Sequence, residues 1–422
     1  MYVLPIHQAL YYTTQMPSAE ESNMIEGWLR QDGRKGIRNS VLVAYLVECA
    51  HFVASEIVTE FRGQDVQLIG FPGCFPNEYA AQMMERLCTH PNVGAVLFVS
   101  LGCESFDKVR VSAAVEASGR PVRTLVIQKA GGTKSTIKLG QEWIRSALSE
   151  IDNVSRTSLA PSDLVIGTVC GGSDGTSGIS GNPAAGRAFD FLVAEGAACI
   201  FEETGELIGC EDIMAERAVT PELGQAIRES VLKAERYYQT LGYGSFAAGN
   251  AAGGLSTIEE KSLGAYVKSG SSQISGLIKP GDMPPCGGLY LMDVVPDGDV
   301  RFGFPNISDN AEIVEMIASG AHMTLFVTGR GSVVGSAISP VIKICANPET
   351  YRALFDDMDI NAGDIIEGHR TIDEVGQEIS ELVYAVAGGQ QTKSEQLGHR
   401  EFILTYKSFE PIGPACLPNL HA

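Results

Sequence analysis

Three cysteines stand beside glycines directly after apolar, strand-like runs of the sequence: Cys74, Cys103 and Cys170. In an open parallel sheet, ligands bind beyond the carboxyl ends of the strands, and glycine lets a loop approach a ligand closely. Three thiolates that converge there suit a soft metal, either ferrous iron or an iron–sulfur cluster with one iron left open. The alternative is packing, because cysteine is a small apolar residue and these three lack a C-x-x-C spacing.

Basic residues stand out in a chain whose formal net charge is −20. The run Asp32–Asn39 contains Arg34, Lys35 and Arg38 just before the first predicted strand, and Arg330 lies in a glycine-flanked turn after a later one. Arginine binds carboxylates in bidentate geometry, so both segments suit an acidic ligand. For Asp32–Asn39, a solvated turn with surface ion pairs is the alternative.

Two segments rich in glycine and acidic residues form a third group. Within 250–261, Thr257 or the residue before it fits a helix N-cap, with Glu259 and Glu260 in the first turn, so capping alone explains the local chemistry. Within 356–363, three carboxylates suit a hard cation but lack the spacing of a helix–loop–helix calcium site, and a polar turn is the alternative.

The composition excludes several classes of function. The negative net charge repels nucleic acid and anionic membrane surfaces, so we expect neither as a partner. The sequence contains no G-x-x-x-x-G-K-[ST] phosphate loop, no G-x-G-x-x-G after a strand and no H-E-x-x-H, and its 7 histidines are dispersed. We expect no secretory leader, because the first residues lack a basic region followed by an apolar stretch, and no apolar run approaches the ~20 residues that span a bilayer. Because its 10 cysteines are scattered, we expect a cytoplasmic protein.

The pattern along the chain predicts an α/β fold: two doubly wound, mostly parallel-sheet domains with the active site in the crevice between them. After an N-terminal extension, 1–26, the first domain spans 27–155 and the second 156–422. Strands are predicted over 41–45, 66–71, 93–101, 122–128, 163–169, 197–202 and 323–328. Helices are predicted from the first strand to about 61 and over 77–89, 108–118, 135–150, 184–195, 211–241, 311–319 and 372–387. The Gly-, Ser- and Pro-rich segment 244–310 is too long for a simple connector, so we expect it to be functional.

Eight short motifs follow one another along the chain. They are D-G-R-x-G-x-R-N (Asp32–Asn39), L-G-C-E (Leu101–Glu104), C-G-G-S-D-G (Cys170–Gly175), N-P (Asn182–Pro183), G-G-L-S-T-I-E-E-K-S-L-G (Gly253–Gly264), T-G-R-G-S (Thr328–Ser332), P-x-I-K (Pro340–Lys343) and D-M-D-I-N-A-G (Asp357–Gly363). Together they resemble the altronate/galactarate dehydratase family, which also contains the large subunit of 3-sulfolactate sulfo-lyase. Each motif alone is unspecific, but eight in the family's order, from about Gly27 to the C-terminus, are specific.

The resemblance implies a metal-dependent hydro-lyase that dehydrates a sugar acid or related 2,3-dihydroxy acid to a 2-keto-3-deoxy acid. The implied cofactor is a divalent metal held by Cys74, Cys103 and Cys170: iron first, as Fe2+ or an iron–sulfur cluster, with Mn2+ and Mg2+ as alternatives. The implied catalytic residues are Lys261, Glu260 and Glu104. The implied substrate-binding residues are Arg34, Arg38, Asn39, Ser173, Asp174, Asn250, Thr257, Arg330, Gly331, Ser332 and Lys343. Lys261 is predicted to be the base, because burial lowers the pKa of a lysine towards neutrality, and Glu260 is second.

Two departures from the family leave the substrate and the partners open. Single-chain family dehydratases carry a small N-terminal domain where this chain has residues 1–26, which resembles a split arrangement with a separate small subunit. The segment Phe71–Asn77 keeps its cysteine but otherwise differs from the sugar-acid dehydratases. Sulfite release from 3-sulfolactate is therefore the first alternative, and a non-catalytic hydroxy-acid-binding protein is the second. The expected partners are a small hydroxy acid, the small subunit and further copies of the chain.

Overall fold

Strands and helices alternate along most of the chain in the computed structural model, which describes residues 25–242, 248–298 and 308–404. The strands are β1 (Glu26–Leu29), β2 (Lys35–Gly36), β3 (Ser40–Tyr45), β4 (Val66–Gly70), β5 (Val93–Ser100), β6 (Val122–Val126), β7 (Arg156–Ser158), β8 (Val165–Cys170), β9 (Ala198–Phe201), β10 (Ile274–Ile278), β11 (Gly288–Met292), β12 (Met323–Thr328), β13 (Val341–Cys345) and β14 (Ile360–Asn361). The α-helices are α1 (His51–Thr59), α2 (Glu78–Cys88), α3 (Lys108–Ala117), α4 (Thr133–Ile151), α5 (Asn182–Ala194), α6 (Glu211–Glu216), α7 (Pro221–Leu241), α8 (Ala248–Ala252), α9 (Ile258–Val267), α10 (Asp309–Ala318), α11 (Pro348–Ala353), α12 (Ile372–Ala387) and α13 (Lys393–Leu397). This alternation suits parallel sheets, because parallel neighbours need a crossover connection.

The N-terminal sheet has four parallel strands in the order β4-β3-β5-β6. All eight residues of β5, VGAVLFVS, are buried, as expected for a central strand covered on both faces. Side chains of α1 and α4 pack on one face of the sheet, and side chains of α2 and α3 pack on the other. Apolar side chains therefore cover this sheet on both faces, and their burial stabilises it.

The C-terminal sheet has seven parallel strands in the order β10-β11-β9-β8-β12-β13-β14. The chain enters at β8, places β9, β11 and β10 on one side of it, and then places β12, β13 and β14 on the other. The strand order therefore reverses between β8 and β12. In open parallel sheets, the carboxyl ends of the two strands at such a reversal leave a crevice, and ligands bind there.

The two sheets share one apolar core. Side chains from α2 and β5 belong to the same cluster as side chains from β8, β12 and α10, and Tyr79 of α2 hydrogen-bonds Glu315 of α10. The buried amide of Asn92 donates to the carbonyl oxygens of His322 at 3.2 Å and Ile338 at 3.3 Å. A small antiparallel sheet, β2-β1-β7, pairs the segment before β3 with the segment after α4 and so joins the two ends of the N-terminal unit.

The predicted α/β class is confirmed, with two mostly parallel sheets. Sequence analysis missed β13 and the antiparallel sheet, whose strands have only two to four residues. The described part of 244–310 contains α8, α9, β10 and β11, so those residues form regular secondary structure. The domain limits remain predictions, and the extension 1–26 lies almost wholly outside the described residues. None of the described helices combines the length and the apolar character needed to cross a lipid bilayer.

Candidate active site

The loops after β8 and β12 meet at the reversal of the strand order. The carbonyl oxygen of Gly172 accepts hydrogen bonds from the backbone N–H of Gly329 at 3.3 Å and of Arg330 at 2.9 Å. The N–H of Gly175 donates to the carbonyl of Gly253 at 2.9 Å, which brings the segment before α9 to the same place. The structure thus assembles three of the sequence motifs, C-G-G-S-D-G, T-G-R-G-S and G-G-L-S-T-I-E-E-K, at one end of the sheet.

Lys261 lies at the centre of a buried polar cluster at the carboxyl end of β8. Its side chain is 3% exposed, and its Nζ lies 2.8 Å from Ser173 Oγ, 3.2 Å from Cys170 Sγ and 2.9 Å from Glu206 Oε2. The Ser173 hydroxyl lies in turn 3.5 Å from Cys170 Sγ. Four polar side chains from three segments therefore share one space, as in a site built for chemistry.

The charge state of Lys261 is opposite to the one predicted. Burial alone lowers the pKa of a lysine, but the negative charges of Cys170 and Glu206 raise the pKa of Lys261 above its ordinary value. Burial raises the pKa of Glu206, and the ammonium of Lys261 opposes that shift. Lys261 is therefore an ammonium at neutral pH. Burial does not make Lys261 a base here, because the Glu206 carboxylate lies 2.9 Å from its Nζ.

Glu203 approaches the same cysteine from the end of β9. One of its carboxylate oxygens accepts a hydrogen bond from the Cys170 N–H at 3.4 Å and lies 3.8 Å from Cys170 Sγ. The carboxylate also forms an ion pair with Lys268, and both side chains are almost fully buried. The backbone of Glu203 is left-handed, with φ 74° and ψ 44°. Among the described residues, it is the only non-glycine residue with a positive φ.

Further carboxyl groups surround this cluster: Glu202, Asp309 and Glu312. Asp309 packs on the backbone of Gly171, where an added Cβ would lie 1.9 Å from the Asp309 carboxylate. Burial and the charges of Glu202 and Asp309 raise the pKa of Glu312 well above its ordinary value. Burial and the charge of Glu206 likewise raise the pKa of Asp309. The carboxyl groups here outnumber the lysines that face them, so some of the carboxyl groups stay protonated.

A cavity of about 440 Å³ opens beside Lys261. Ser173 and Glu260 supply polar groups to its lining, and Ile179 and Leu263 supply apolar ones. A space of this size accommodates a small organic acid. The ammonium and the hydroxyl of the buried cluster therefore line a volume that suits a ligand.

Asp174 joins three loops of the site. One of its oxygens accepts a hydrogen bond from the Thr176 N–H at 2.8 Å, and the other accepts one from the Asn347 amide at 3.2 Å. Gly329 packs directly on it, since a Cβ there would lie 2.0 Å from Asp174 Oδ1. Asp174 thus holds the loops after β8, β12 and β13 together, and Arg330 is exposed on the second of them.

Three predicted residues near α8 and α9 have capping or backbone contacts. Thr257 is the N-cap of α9: its hydroxyl accepts a hydrogen bond from the Glu260 N–H at 3.4 Å, and Glu260 accepts from the N–H groups of Ser256 at 2.7 Å and Thr257 at 3.2 Å. This confirms the predicted N-cap, and the bonds lower the pKa of Glu260. Asn250 is buried in α8, where its carbonyl accepts hydrogen bonds from the chain that follows.

Gly331 and Ser332 shape the turn after β12. The Gly331 N–H donates to the Thr328 hydroxyl at 3.0 Å, and the Ser332 hydroxyl accepts from the Val334 N–H at 3.2 Å. Gly331 has a φ of 92°, which favours glycine. These contacts place the backbone of Arg330 against the loop after β8.

Cys74 and Cys103 follow strands of the other, four-stranded sheet. Both are exposed free thiols. Among the described residues, the ligand atoms that lie within 4.8 Å of one another around the Cys170 thiol belong to Glu203 and Glu206. The structure therefore does not bring the three predicted cysteines together. Cys74 and Cys103 follow strands of the four-stranded sheet, whereas Cys170 ends a strand of the seven-stranded sheet.

Glu104 also belongs to the four-stranded sheet. It accepts hydrogen bonds from Ser100 and from the Gly102 N–H, the latter at 2.8 Å, and it pairs with Lys108 at 3.4 Å. Although burial opposes the shift, these hydrogen bonds lower the pKa of Glu104. Ser100, Gly102 and Lys108 belong to β5, the loop after it and α3, so the structure places this predicted catalytic residue in a loop of the four-stranded sheet.

Arg34, Arg38 and Asn39 precede β3. Lys35, in the same segment, contacts Asp163 and His322 just before β8 and β12, whereas Lys261 lies at the carboxyl end of β8. Arg34 pairs with Asp32 at 2.7 Å, and Arg38 pairs with Glu395 at 2.8 Å. Asn39 bonds to a buried arginine and to a backbone carbonyl. The arginines predicted to hold a substrate carboxylate thus bind carboxylates of the chain itself, as in the ion-pair alternative.

Lys343 lies within β13 and is fully buried. Its Nζ is 3.3 Å from Nδ1 of His399, and its backbone N–H donates to Asp359 at 2.8 Å. Burial lowers the pKa of Lys343. The structure gives this predicted substrate-binding residue internal partners, because it occupies the middle of a covered strand rather than a loop.

Sequence analysis did not identify Glu203, Glu206 or Lys268. A signal for the two glutamates was present, because the predicted strand over 197–202 runs into the acidic sequence E-E-T-G-E at its carboxyl end. A signal for Lys268 was also present, since it follows Lys261 by seven residues, about two helical turns, and so lies on the same side of α9. The carboxyl end of the strand 197–202 carries no Cys–Gly pair, so it lacks the signal that marks the other strand ends.

The donor set around Cys170 fits a divalent metal. One thiol and two carboxylates, from Glu203 and Glu206, lie within 4.8 Å of one another. Lys261 and Lys268 neutralise part of the negative charge, but the raised pKa values of nearby acids show that cations are still too few. A thiolate among the donors suits iron or another transition metal better than magnesium.

The fold and the site define a class of protein. An α/β chain with a buried cluster of thiol, amine and carboxyl groups, at a strand-order reversal and beside a cavity, has the arrangement of an enzyme that acts on a small molecule. Residues 161–409 match the family described as D-galactarate/Altronate dehydratase, C-terminal, and residues 27–152 match D-galactarate dehydratase/Altronate hydrolase, second domain. The chain belongs to this dehydratase family and is a lyase.

Three relatives illustrate the range of the family. The chain is 31% identical over 393 residues to (2R)-sulfolactate sulfo-lyase subunit beta of Chromohalobacter salexigens. This match covers 90% of this chain and 96% of the relative. It is 29% identical to altronate dehydratase of Bacillus subtilis, over 92% of this chain and 78% of the relative. It is 33% identical to galactarate dehydratase (L-threo-forming) of Escherichia coli, over 75% of this chain and 60% of the relative.

Proposed function

We propose that the protein is a metal-dependent hydro-lyase that removes water from a sugar acid or a related 2,3-dihydroxy acid and yields a 2-keto-3-deoxy acid. The observation that carries this proposal is the buried Lys261, held between Cys170, Ser173 and Glu206 beside a cavity of about 440 Å³. The substrate class rests on the relatives named altronate dehydratase and galactarate dehydratase.

The groups that line the cavity match what dehydration requires. The proton next to a carboxylate is weakly acidic, because its removal places a second negative charge on the acid, and a fixed cation stabilises that charge. Lys261 is such a cation. Its ammonium donates a hydrogen bond to the Ser173 hydroxyl, which would pass its proton to the departing hydroxide, forming water, and would recover a proton from that ammonium. Glu260, the other ionisable residue of the described lining, is ionised and is the proton acceptor.

Cys170, Glu203 and Glu206 would hold the metal, because they are the donors that lie together. When bound, a divalent metal would supply Lewis-acid polarisation of the substrate carboxylate and its neighbouring hydroxyl. Iron is the first choice and Mn2+ or Mg2+ the alternatives, because the set mixes one sulfur donor with oxygen donors.

Release of sulfite from 3-sulfolactate is the second candidate function. The observation that favours it is the match to the sulfo-lyase subunit over 96% of that relative's length. The same chemistry applies, since sulfite leaves from the carbon that would otherwise lose hydroxide. The word subunit in that relative's name also supports a small-subunit partner, and we retain oligomerisation as a prediction.

We also propose a cytoplasmic location. The nine cysteines in the described ranges are all free, which suits a reducing compartment.

Turnover assays test the proposed function. Anaerobically purified protein is incubated with altronate, galactarate and 3-sulfolactate, each with Fe2+, Mn2+ or Mg2+, and with and without a co-encoded small subunit. We expect a 2-keto acid from at least one sugar acid, or sulfite from sulfolactate under the second candidate. A folded protein that converts none of these acids under any condition removes the proposal.

A substitution at Lys261 links the activity to the site. Lys261→Met should lower kcat by about 100- to 10,000-fold, the usual range for a lost acid–base group, while substrate binding stays measurable. Lys138→Met is the matched control, since the Lys138 side chain is 78% exposed and should leave kcat unchanged. Near-normal turnover by Lys261→Met would exclude this lysine from the reaction.

A further inference from the structure

We infer that Lys268 is a positioning residue: together with the left-handed backbone at Glu203, it holds the Glu203 carboxylate against Cys170 at a cost in stability. This inference rests on the proposed function, because it assigns the carboxylate to the same site. In the proposed function, Glu203 is only one of the metal ligands, and Lys268 has no role beyond its ion pair with Glu203. Three independent features of the described chain support it.

The first feature is the backbone of Glu203. Its φ of 74° and ψ of 44° lie in the left-handed region, which L side chains avoid because Cβ crowds the following carbonyl oxygen. Glycine adopts this conformation without that penalty. A glutamate at such a position is therefore strained, and strain of this kind persists only where the surrounding structure enforces it.

The second feature is the burial of the ion pair. Glu203 is 4% exposed and Lys268 is 1% exposed. Burying both charges costs desolvation free energy that their attraction only partly offsets, so such a pair is poor evidence for stability. What the pair does fix is geometry, because neither charge can leave the other without being buried alone.

The third feature is a repeated pairing between two elements. Lys261 lies in α9 and Lys268 is the C-cap residue of this helix, about two turns later, and both face the residues after β9. Lys261 pairs with Glu206, and Lys268 pairs with Glu203. The two pairs set the register of α9 against the turn after β9. The Cys170 thiol lies between them, 3.8 Å from one carboxylate and 3.7 Å from the other.

Two double variants separate the strain from the charge. Glu203→Gly with Lys268→Met removes the carboxylate, the ammonium and the backbone strain, whereas Glu203→Ala with Lys268→Met removes both charges but keeps the strain. We expect the glycine variant to melt about 2 °C above the alanine variant, from relief of the left-handed penalty. Glu203→Gln keeps the side-chain shape and tests the charge alone.

Metal affinity is the readout that a merely structural role would not change. Mn2+ binding, measured by equilibrium dialysis, should weaken at least about tenfold in the two double variants and in Glu203→Gln, since loss of an aimed carboxylate removes a ligand. Turnover should fall at least about 100-fold in the same variants. The glycine variant should thus be folded, more stable than its alanine counterpart, and inactive.

Several results would overturn the inference. They are a glycine variant with wild-type Mn2+ affinity or turnover, equal melting temperatures for the glycine and alanine variants, or wild-type protein that binds no Mn2+. The proposed function fails separately: if wild-type protein binds Mn2+ but converts no acid, the hydro-lyase assignment is lost. In that case the affinities of the variants still decide the positioning role.

Discussion

At the scale of single residues, Lys261 shows how a neighbour decides the chemistry of a buried group. Sequence analysis correctly expected its burial but reasoned from desolvation alone. With Glu206 2.9 Å away, the folded protein raises the pKa of Lys261 instead of lowering it. A raised lysine pKa means that the stabilising charge pair is fully present below the ordinary lysine pKa. It is lost only as pH rises through the higher value in the folded state.

This charge state predicts the pH dependence of the reaction. Ser173 and Glu206 hold the ammonium form of Lys261, and we expect Lys261 to keep its proton when a metal binds Glu206, so kcat/KM should not rise with pH through deprotonation of this lysine between pH 7 and pH 9. The measurement is a pH–rate profile of the best substrate with saturating metal. A tenfold rise per pH unit that disappears in Lys261→Met would show that the neutral amine is the active form, and would return Lys261 to the role of base.

At the scale of secondary-structure elements, the site depends on a close approach between loops that leaves no room for a side chain at Gly329. The loop after β12 packs its Gly329 on Asp174, and an added Cβ would lie 2.0 Å from that carboxylate. Gly329→Ala should therefore push the loops after β8 and β12 apart. We expect kcat/KM to fall by about 100-fold, as misplacement of about 1 Å does, with only a small change in melting temperature.

Gly388→Ala is the matched control for Gly329→Ala. Gly388 follows α12, has an ordinary negative φ, and offers an added Cβ nothing closer than 3.3 Å. It should keep wild-type kcat/KM. If both alanine variants lose activity equally, the contact between Gly329 and Asp174 is not what positions the loops.

The length of a strand affects whether the sequence predicts it. β3, β5 and β12 were predictable, because continuous apolar runs bounded by loops are typical of covered parallel strands. β1, β2 and β7 were not, since strands of two to four residues carry too short a pattern.

The site follows the same division. The structure places Cys170, Ser173 and Lys261 together. Cys170 was a candidate because it follows a strand beside glycine, whereas Ser173 and Lys261 were implied only by the family resemblance. Cys74 and Cys103 carry the same local signal but follow strands of the other sheet. Sequence analysis had already placed Cys74 and Cys103 in the first domain and Cys170 in the second. How the strand ends of two sheets face each other is a long-range property that local residue patterns do not encode.

At the scale of the whole molecule, the two sheets are joined through buried polar groups as well as through the shared apolar core. His322, just before β12, accepts a hydrogen bond at Nδ1 from the Val165 N–H at 3.0 Å, and its Nε2 lies 2.8 Å from the carbonyl of Lys35. Both contacts are satisfied only by the neutral ring with its proton on Nε2. The ring of His90, from the other sheet, faces it at 6.0 Å.

This joint should fail in acid. Burial lowers the pKa of His322 from 6.5 to about 4, so the stability that depends on its neutral form is present above pH 6.5 and is lost as pH falls towards 4. Between pH 7 and pH 5, His322 alone should cost about 2 kcal/mol of unfolding free energy. Denaturant titrations at the two pH values measure this loss, which should shrink in His322→Gln and persist in His51→Gln, where the histidine is exposed. An equal acid sensitivity in wild type and His322→Gln would mean that other groups control how the two sheets stay together.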